Sequence, residues 1–125
     1  MKNKQPTLSR DELNSVYALY STGQFNEAID KIKALNEDYP NVPILFNIIG
    51  ACYKELGQLE GAAKMFEVAV SIKSDYAEAY FNLGAIRKAL GQDDDAVKSY
   101  KQAIAITPNY PDAHNNLGTT LHDLG

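Results

Sequence analysis

The sequence is poor in the features that mark exported, membrane-spanning or cross-linked proteins. It contains a single cysteine, Cys52, so it can form no internal disulfide, which fits a reducing compartment. No apolar run approaches the roughly 20 residues that a membrane span requires. Polar residues follow the first lysines, where an export signal would be apolar. These absences predict a soluble, cytoplasmic protein with no membrane partner.

Basic residues are too few and too scattered to form a nucleic-acid surface. The 12 lysines and arginines are spread along the chain and are outnumbered by 16 acidic residues, which gives a net charge of -4. A nucleic-acid-binding surface needs a concentrated positive patch. The composition therefore favours a protein or peptide partner over a nucleic acid.

The residues that could carry catalysis form no recognisable site. The chain has no phosphate-binding glycine loop, nucleophile elbow or paired-histidine zinc helix. Cys52 lies among apolar residues, where a thiol behaves as a small hydrophobe. His114 and His122 are two helical turns apart, about 12 Å, which is too far to share a metal ion. We expect no enzyme activity, no cofactor and no metal site.

What the chain does have is an internal repeat. Gly23, Gly57, Gly91 and Gly125 are each 34 residues apart. Within each copy, apolar residues recur at intervals of three and four, which is the period of one helix face, and the glycine between two such runs suits a helix C-terminal cap. Each copy is therefore predicted to be two helices. Further columns keep the same phase: Gly50, Gly84 and Gly118; Ala28, Ala62 and Ala96; and Ile32, Phe66 and Tyr100.

The starts of several helices are also marked. Ser9 and Glu12 have the spacing of a capping box, in which each side chain bonds to the backbone N–H of the other residue. Pro43 and Pro111 suit a first helical turn, where the missing N–H leaves no bond unmade. We therefore predict helices that begin near these residues.

This pattern resembles the tetratricopeptide repeat (TPR) family, whose period is also 34 residues. The copies run over about 9–42, 43–76 and 77–110, and half a copy follows at 111–125. The resemblance implies an all-α fold, a right-handed superhelix of antiparallel helix pairs called a TPR solenoid. It further implies about three and a half repeats and seven helices, in a single domain over residues 1–125.

The resemblance also implies a working surface, because in this family the first helix of every pair lines a concave groove. Two columns on these helices are rich in asparagine, whose amide carries two donors and an acceptor and can hold the backbone of an extended peptide. The columns read Asn14, Ile48, Asn82, Asn116 and Leu13, Asn47, Phe81, Asn115. The predicted groove residues are Leu13, Asn14, Tyr17, Tyr20, Ile44, Asn47, Ile48, Lys54, Phe81, Asn82, Lys88, Asn115 and Asn116, and the charges around them include Arg10, Glu55, Glu78 and Asp112.

Two functions follow as hypotheses. The first is an interaction scaffold that binds a peptide or protein segment in the concave groove. The alternative is a substrate-recruiting part of a larger enzyme, because the asparagine column is similar to the repeat arm of O-linked N-acetylglucosamine transferases. A clamp for a chaperone's terminal carboxylate is not expected, since Leu13, Asn47, Phe81 and Glu78 occupy places where that clamp needs lysine and arginine.

The end of the sequence suggests an apolar edge. The residues of this edge are Leu117, Gly118, Leu121 and Leu124, and in the TPR pattern a second helix would cover them. We expect the chain to belong to a longer parent. We also expect self-association through the C-terminal helix, because an exposed apolar strip tends to find cover.

Overall fold

The computed structural model describes residues 7–125 and contains seven α-helices with no strand in that range. Residues 1–6, on which the expectation of no export signal rests, lie outside it. The predicted all-α fold with seven helices is confirmed. None of the described helices is both long enough and apolar enough to cross a bilayer. The helices are α1 Arg10–Ser21, α2 Phe25–Asp38, α3 Pro43–Glu55, α4 Leu59–Ile72, α5 Ala77–Ala89, α6 Asp93–Ile106 and α7 Pro111–Leu124.

The predicted helix starts are confirmed. Glu12 donates its backbone N–H to the Ser9 hydroxyl at 3.1 Å, and the Glu12 carboxylate accepts from the Ser9 backbone N–H at 3.3 Å. This capping box satisfies two N–H groups that α1 would otherwise leave without partners. Pro43 and Pro111 are the first residues of α3 and α7. Local sequence signals therefore determine where these three helices begin.

A glycine in the left-handed region ends the first helix of each pair. Gly57 has a φ of 78°, and its N–H donates to the Lys54 carbonyl at 3.0 Å, while the next N–H, of Gln58, donates to the Tyr53 carbonyl at 2.8 Å. This is a Schellman cap, which needs a residue that tolerates positive φ. The same turn follows α1 and α5, so each second helix starts two residues later and packs back on the first.

Close packing inside the pairs depends on the second glycine column. A Cβ added at Gly50 would lie 2.7 Å from the Phe66 ring, and one added at Gly84 would lie 2.7 Å from the Tyr100 ring. The aromatic ring therefore occupies the space that the glycine leaves. In the first pair, Val16 and Ile32 stand at the positions of the glycine and the ring, and both are buried. This pair therefore packs without a glycine at that position.

The helix pairs stack into one continuous array. Each second helix packs on the first helix of the next pair, and the first helices α1, α3, α5 and α7 contact their neighbours in a row. Arg87 strengthens one of these junctions, because its guanidinium donates to the Ser99 hydroxyl at 2.9 Å and to the Glu67 carboxylate at 3.0 Å. The row of first helices presents the surface described next.

Candidate functional site

A pocket of about 160 Å³ lies on the row of first helices, between α1, α3 and α5. It brings together six of the predicted groove residues. Ala51, Phe66 and Glu78 complete its wall, and of these only Glu78 is among the residues that the sequence places around the groove. Ala51 and Phe66 carry no sequence signal for a site because they read as packing residues. The residues that line the pocket are Tyr17, Tyr20, Asn47, Ile48, Ala51, Lys54, Phe66, Glu78 and Asn82.

Two asparagines of neighbouring columns are joined inside this pocket. The Asn82 side-chain amide donates to the Asn47 side-chain oxygen at 3.0 Å. Asn47 is only 5% exposed, and its side-chain oxygen is taken up by this bond. The Asn47 amide is therefore engaged within the protein and positions Asn82. Asn82 is half-buried and keeps its side-chain oxygen and a second N–H for a ligand.

The next repeat carries a related, shallower pocket of about 250 Å³ between α5 and α7. Asn116 stands there as Asn82 stands in the first pocket, and its amide reaches the Tyr100 hydroxyl at 3.5 Å. Ala85, Lys88 and Tyr100 likewise stand one repeat beyond Ala51, Lys54 and Phe66 of the first pocket. The structure thus repeats one asparagine-bearing pocket along the groove.

Lys88 lines this second pocket, but its charge is neutralised within the protein. Its ammonium donates to the Asp123 carboxylate at 2.7 Å and to the Asp93 carboxylate at 3.0 Å. The hydrogen bond with Asp123, and then that with Asp93, raises the pKa of Lys88. Lys88 as a groove residue stays a prediction, and its side chain also ties α5 to α6 and α7 through these two ion pairs.

The remaining predicted residues lie outside both pockets. Leu13 and Ile44 line an open depression of about 600 Å³ at the start of α1 and α3. Phe81 is half-buried and stacks on Tyr110, with ring centroids 5.2 Å apart. Asn14 and Asn115 are exposed and line none of these three pockets. The structure therefore brings eight of the thirteen residues into the two asparagine-bearing pockets and leaves five outside them.

Glu78 shapes the electrostatics of the first pocket. Burial raises the pKa of Tyr17, and the Glu78 charge raises it further. Burial raises the pKa of Tyr76 to about 12, with Glu78 as the next cause, while the hydrogen bond from Asn47 opposes the shift. Tyr110 responds in the same way to burial and then to Glu78. The Glu78 charge thus favours the neutral form of these three hydroxyls.

The predicted C-terminal edge is partly open. Leu121 is 45% exposed and Leu124 is 47% exposed, while Leu117 is half-buried. A Cβ added at Gly118 would meet no atom within 4 Å, in contrast to the crowded positions at Gly50 and Gly84.

Cys52 is fully buried, as the sequence predicted. Burial, and to a lesser extent the charge of Glu55, raises the pKa of its thiol to about 11. A thiol in this state is a poor nucleophile. Over residues 7–125, histidine, cysteine, aspartate and glutamate side chains nowhere gather in a group of three that could hold a metal ion.

Several solved structures share this fold. The first TPR of Spaghetti (RPAP3), bound to the HSP90 peptide SRMEEVD, is 26% identical, with a TM-score of 0.88 over 97% of this chain and 98% of that one. The first TPR domain of human RPAP3 is also 26% identical, with a TM-score of 0.86 over 90% and 89%. The Sgt2 TPR domain from Aspergillus fumigatus is 22% identical, with a TM-score of 0.89 over 98% and 85%, and shows the fold alone.

Comparison at the level of sequence identifies a family but no individual curated relative. No curated protein matches the chain. The family model described as TPR repeat matches residues 50–91 and 86–125, which together make up more than half of the sequence. The chain therefore belongs to the TPR repeat family.

Proposed function

We propose that the protein is an interaction scaffold that binds an extended polypeptide segment in its concave groove. The observation that carries this proposal is the pocket between α1, α3 and α5. Two tyrosines, an isoleucine and the Asn82 amide, which donates only one N–H within the protein, line this pocket. The TPR of Spaghetti, whose fold this chain shares, was solved with a bound peptide. We further infer that the chain acts by binding and not by catalysis. The predicted cytoplasmic location remains a prediction.

The groove offers the two kinds of contact that an extended segment needs. Asn82 can pair with a peptide backbone through its free oxygen and N–H, whatever the side chains of that peptide are. Tyr17, Tyr20 and Ile48 offer apolar surface to a side chain beside it. Because Asn116 repeats the first contact one pocket further along, a segment that runs along the row of first helices can be held twice.

The alternative is a substrate-recruiting part of a larger enzyme, and the repeated asparagine pockets support it as well. Asn82 and Asn116 occupy equivalent places in two successive pockets, as the similarity to O-linked N-acetylglucosamine transferase arms implies. The coding sequence beyond Gly125 discriminates between the two. A glycosyltransferase domain encoded there would favour the alternative, and its absence would leave the scaffold.

Selection from a random peptide library displayed on phage tests the scaffold directly. Peptides recovered on the native chain are retested on the double variant Asn82→Ala and Asn116→Ala. The matched control is Lys64→Ala with Lys98→Ala, because these lysines are exposed and occupy equivalent places on the outer helices α4 and α6.

We expect the peptides to lose affinity for the asparagine variant and to bind the lysine variant as they bind the native chain. Peptides that respond only to the lysine pair would place binding on the outer surface and overturn the proposal. A selection that enriches no peptide would overturn it as well.

A further inference from the structure

The Glu78 carboxylate is a charge of the groove that has no ion-pair partner among residues 7–125. Glu78 lies in the first turn of α5, is exposed, and lines the first pocket together with Tyr17. Its carboxylate makes no ion pair or hydrogen bond with another side chain of the described range 7–125. Lys54 lines the same pocket but lies in the last turn of α3 and does not pair with it. The Glu78 charge is therefore open to a ligand.

The Glu78 carboxylate lies in the same pocket wall as the Tyr17 and Tyr20 rings. After burial, the Glu78 charge raises the pKa of Tyr17, Tyr76 and Tyr110, and the Asp112 charge also raises the pKa of Tyr110. A neutral aromatic ring attracts a cation to its face, and a carboxylate beside the ring adds a direct charge. Rings and carboxylates together therefore make this part of the groove attractive to an ammonium or guanidinium group.

The chain itself contains an example of such a contact. Lys73 places its ammonium 5.8 Å from the centre of the Tyr76 ring, and Asp75 holds the same ammonium at 2.7 Å. An amine is thus held by a ring and a carboxylate just before α5 begins. Glu78 and Tyr17 offer the same two groups inside the pocket.

We propose that the segment bound in the groove carries a lysine or arginine side chain that pairs with Glu78 against the neighbouring tyrosine rings. The inference rests on the proposed function, because it names the chemistry of the segment that the groove binds. Further along the groove, Asp93 and Asp123 neutralise the charge of Lys88. This lysine therefore does not oppose the binding of a basic segment.

An acidic segment fits this pocket less well. The peptide SRMEEVD in the Spaghetti structure carries three carboxylate side chains. In the present pocket such a segment would meet Glu78, and like charges brought together across an interface oppose binding. Lys54 is the one cation in the wall of this pocket. It lies in the last turn of α3, whereas Glu78 lies in the first turn of α5.

The groove-dependent peptides from the selection described above serve as probes. We expect lysine and arginine to be enriched in them, and replacement of the basic residue by glutamine in the synthetic peptide to weaken binding to the native chain. Fluorescence anisotropy then compares the native chain with Glu78→Gln and with Glu60→Gln. Glu60 is the matched control, because it is an exposed glutamate in the first turn of the outer helix α4.

We expect Glu78→Gln to weaken binding about tenfold at low salt, an effect that shrinks as salt screens the charges, while Glu60→Gln changes it less than about twofold. A circular dichroism melt of Glu78→Gln that matches the native melt shows that folding is not the cause. Groove-dependent peptides without basic residues, or equal binding to Glu78→Gln, overturn this inference and leave the proposed function standing. The absence of any groove-dependent peptide overturns the proposed function itself.

Discussion

The Tyr100 ring lies where the side chain of residue 84 would begin, because a Cβ placed on Gly84 would be 2.7 Å from the Tyr100 ring. The Phe66 ring stands in the same relation to Gly50. At Gly118, the third member of the glycine column, the corresponding space is empty to 4 Å. The three glycines thus have one place in the repeat but two different environments.

We predict that Gly84→Ala and Gly50→Ala each lower the free energy of unfolding by about 1–3 kcal/mol, because the methyl group must displace a buried ring. Gly118→Ala is the control. It adds the same atom to a helix interior without a clash and should raise stability by about 0.5–1 kcal/mol. Chemical denaturation of the three variants measures the difference. Equal effects at all three positions would mean that the rings do not occupy the glycine spaces.

A second prediction concerns the pair Asn47 and Asn82. Asn47→Ala removes the buried hydrogen-bond partner of Asn82, so we expect a loss of about 1–3 kcal/mol in the free energy of unfolding. Asn115→Ala changes an exposed residue of α7 and should stay within about 0.5 kcal/mol. Urea unfolding compares the two. If both variants behaved alike, Asn47 would be a groove residue with no role in positioning Asn82.

The sequence was sufficient for the helices and their order because those features depend on residues close in the chain or on the repeat itself. The capping box at Ser9, the glycine turns and the buried alanine column are all readable in this way. The use of the groove residues was not readable. Asn47 and Lys88 read as free groups facing a ligand, whereas the structure engages both with partners across helices. The Asn82–Asn47 and Lys88–Asp123 bonds each join residues 35 positions apart, one more than the repeat, so the period gives no sign of them.

The Lys88 and Asp123 pair predicts a specific dependence on pH. The hydrogen bond with Lys88 lowers the pKa of Asp123 from its usual 3.8, so its stabilising effect is complete above that value and is lost as the pH falls through the lower folded pKa. The pKa of Lys88 is raised from its usual 10.5, so its contribution is complete below that value and is lost only at higher pH. The pair therefore stabilises the docking of α7 across the neutral range.

Thermal melts of Lys88→Met against the native chain check this. We expect the variant to melt at a lower temperature at about pH 7 and the gap in melting temperature to narrow at low pH, as the pH falls through the lowered pKa of Asp123. Lys101→Met removes an exposed lysine of α6 and controls for the change in net charge. A gap of the same size at both pH values would show that Lys88 acts through packing and not through its charge.

The last prediction concerns the apolar edge of α7, where Leu121 and Leu124 are about half exposed and Gly118 leaves an open space. Burying a leucine side chain contributes roughly 1.5–3 kcal/mol, so we expect the chain to associate with a second copy through this helix as concentration rises. Light scattering across a concentration series measures the effect. Leu121→Glu should keep the protein monomeric, because association would bury an unpaired carboxylate, while Ala105→Glu adds the same charge to an exposed position of α6 and should associate like the native chain. A native chain that stays monomeric at high concentration contradicts the prediction and would leave the edge of α7 as an exposed surface without a partner.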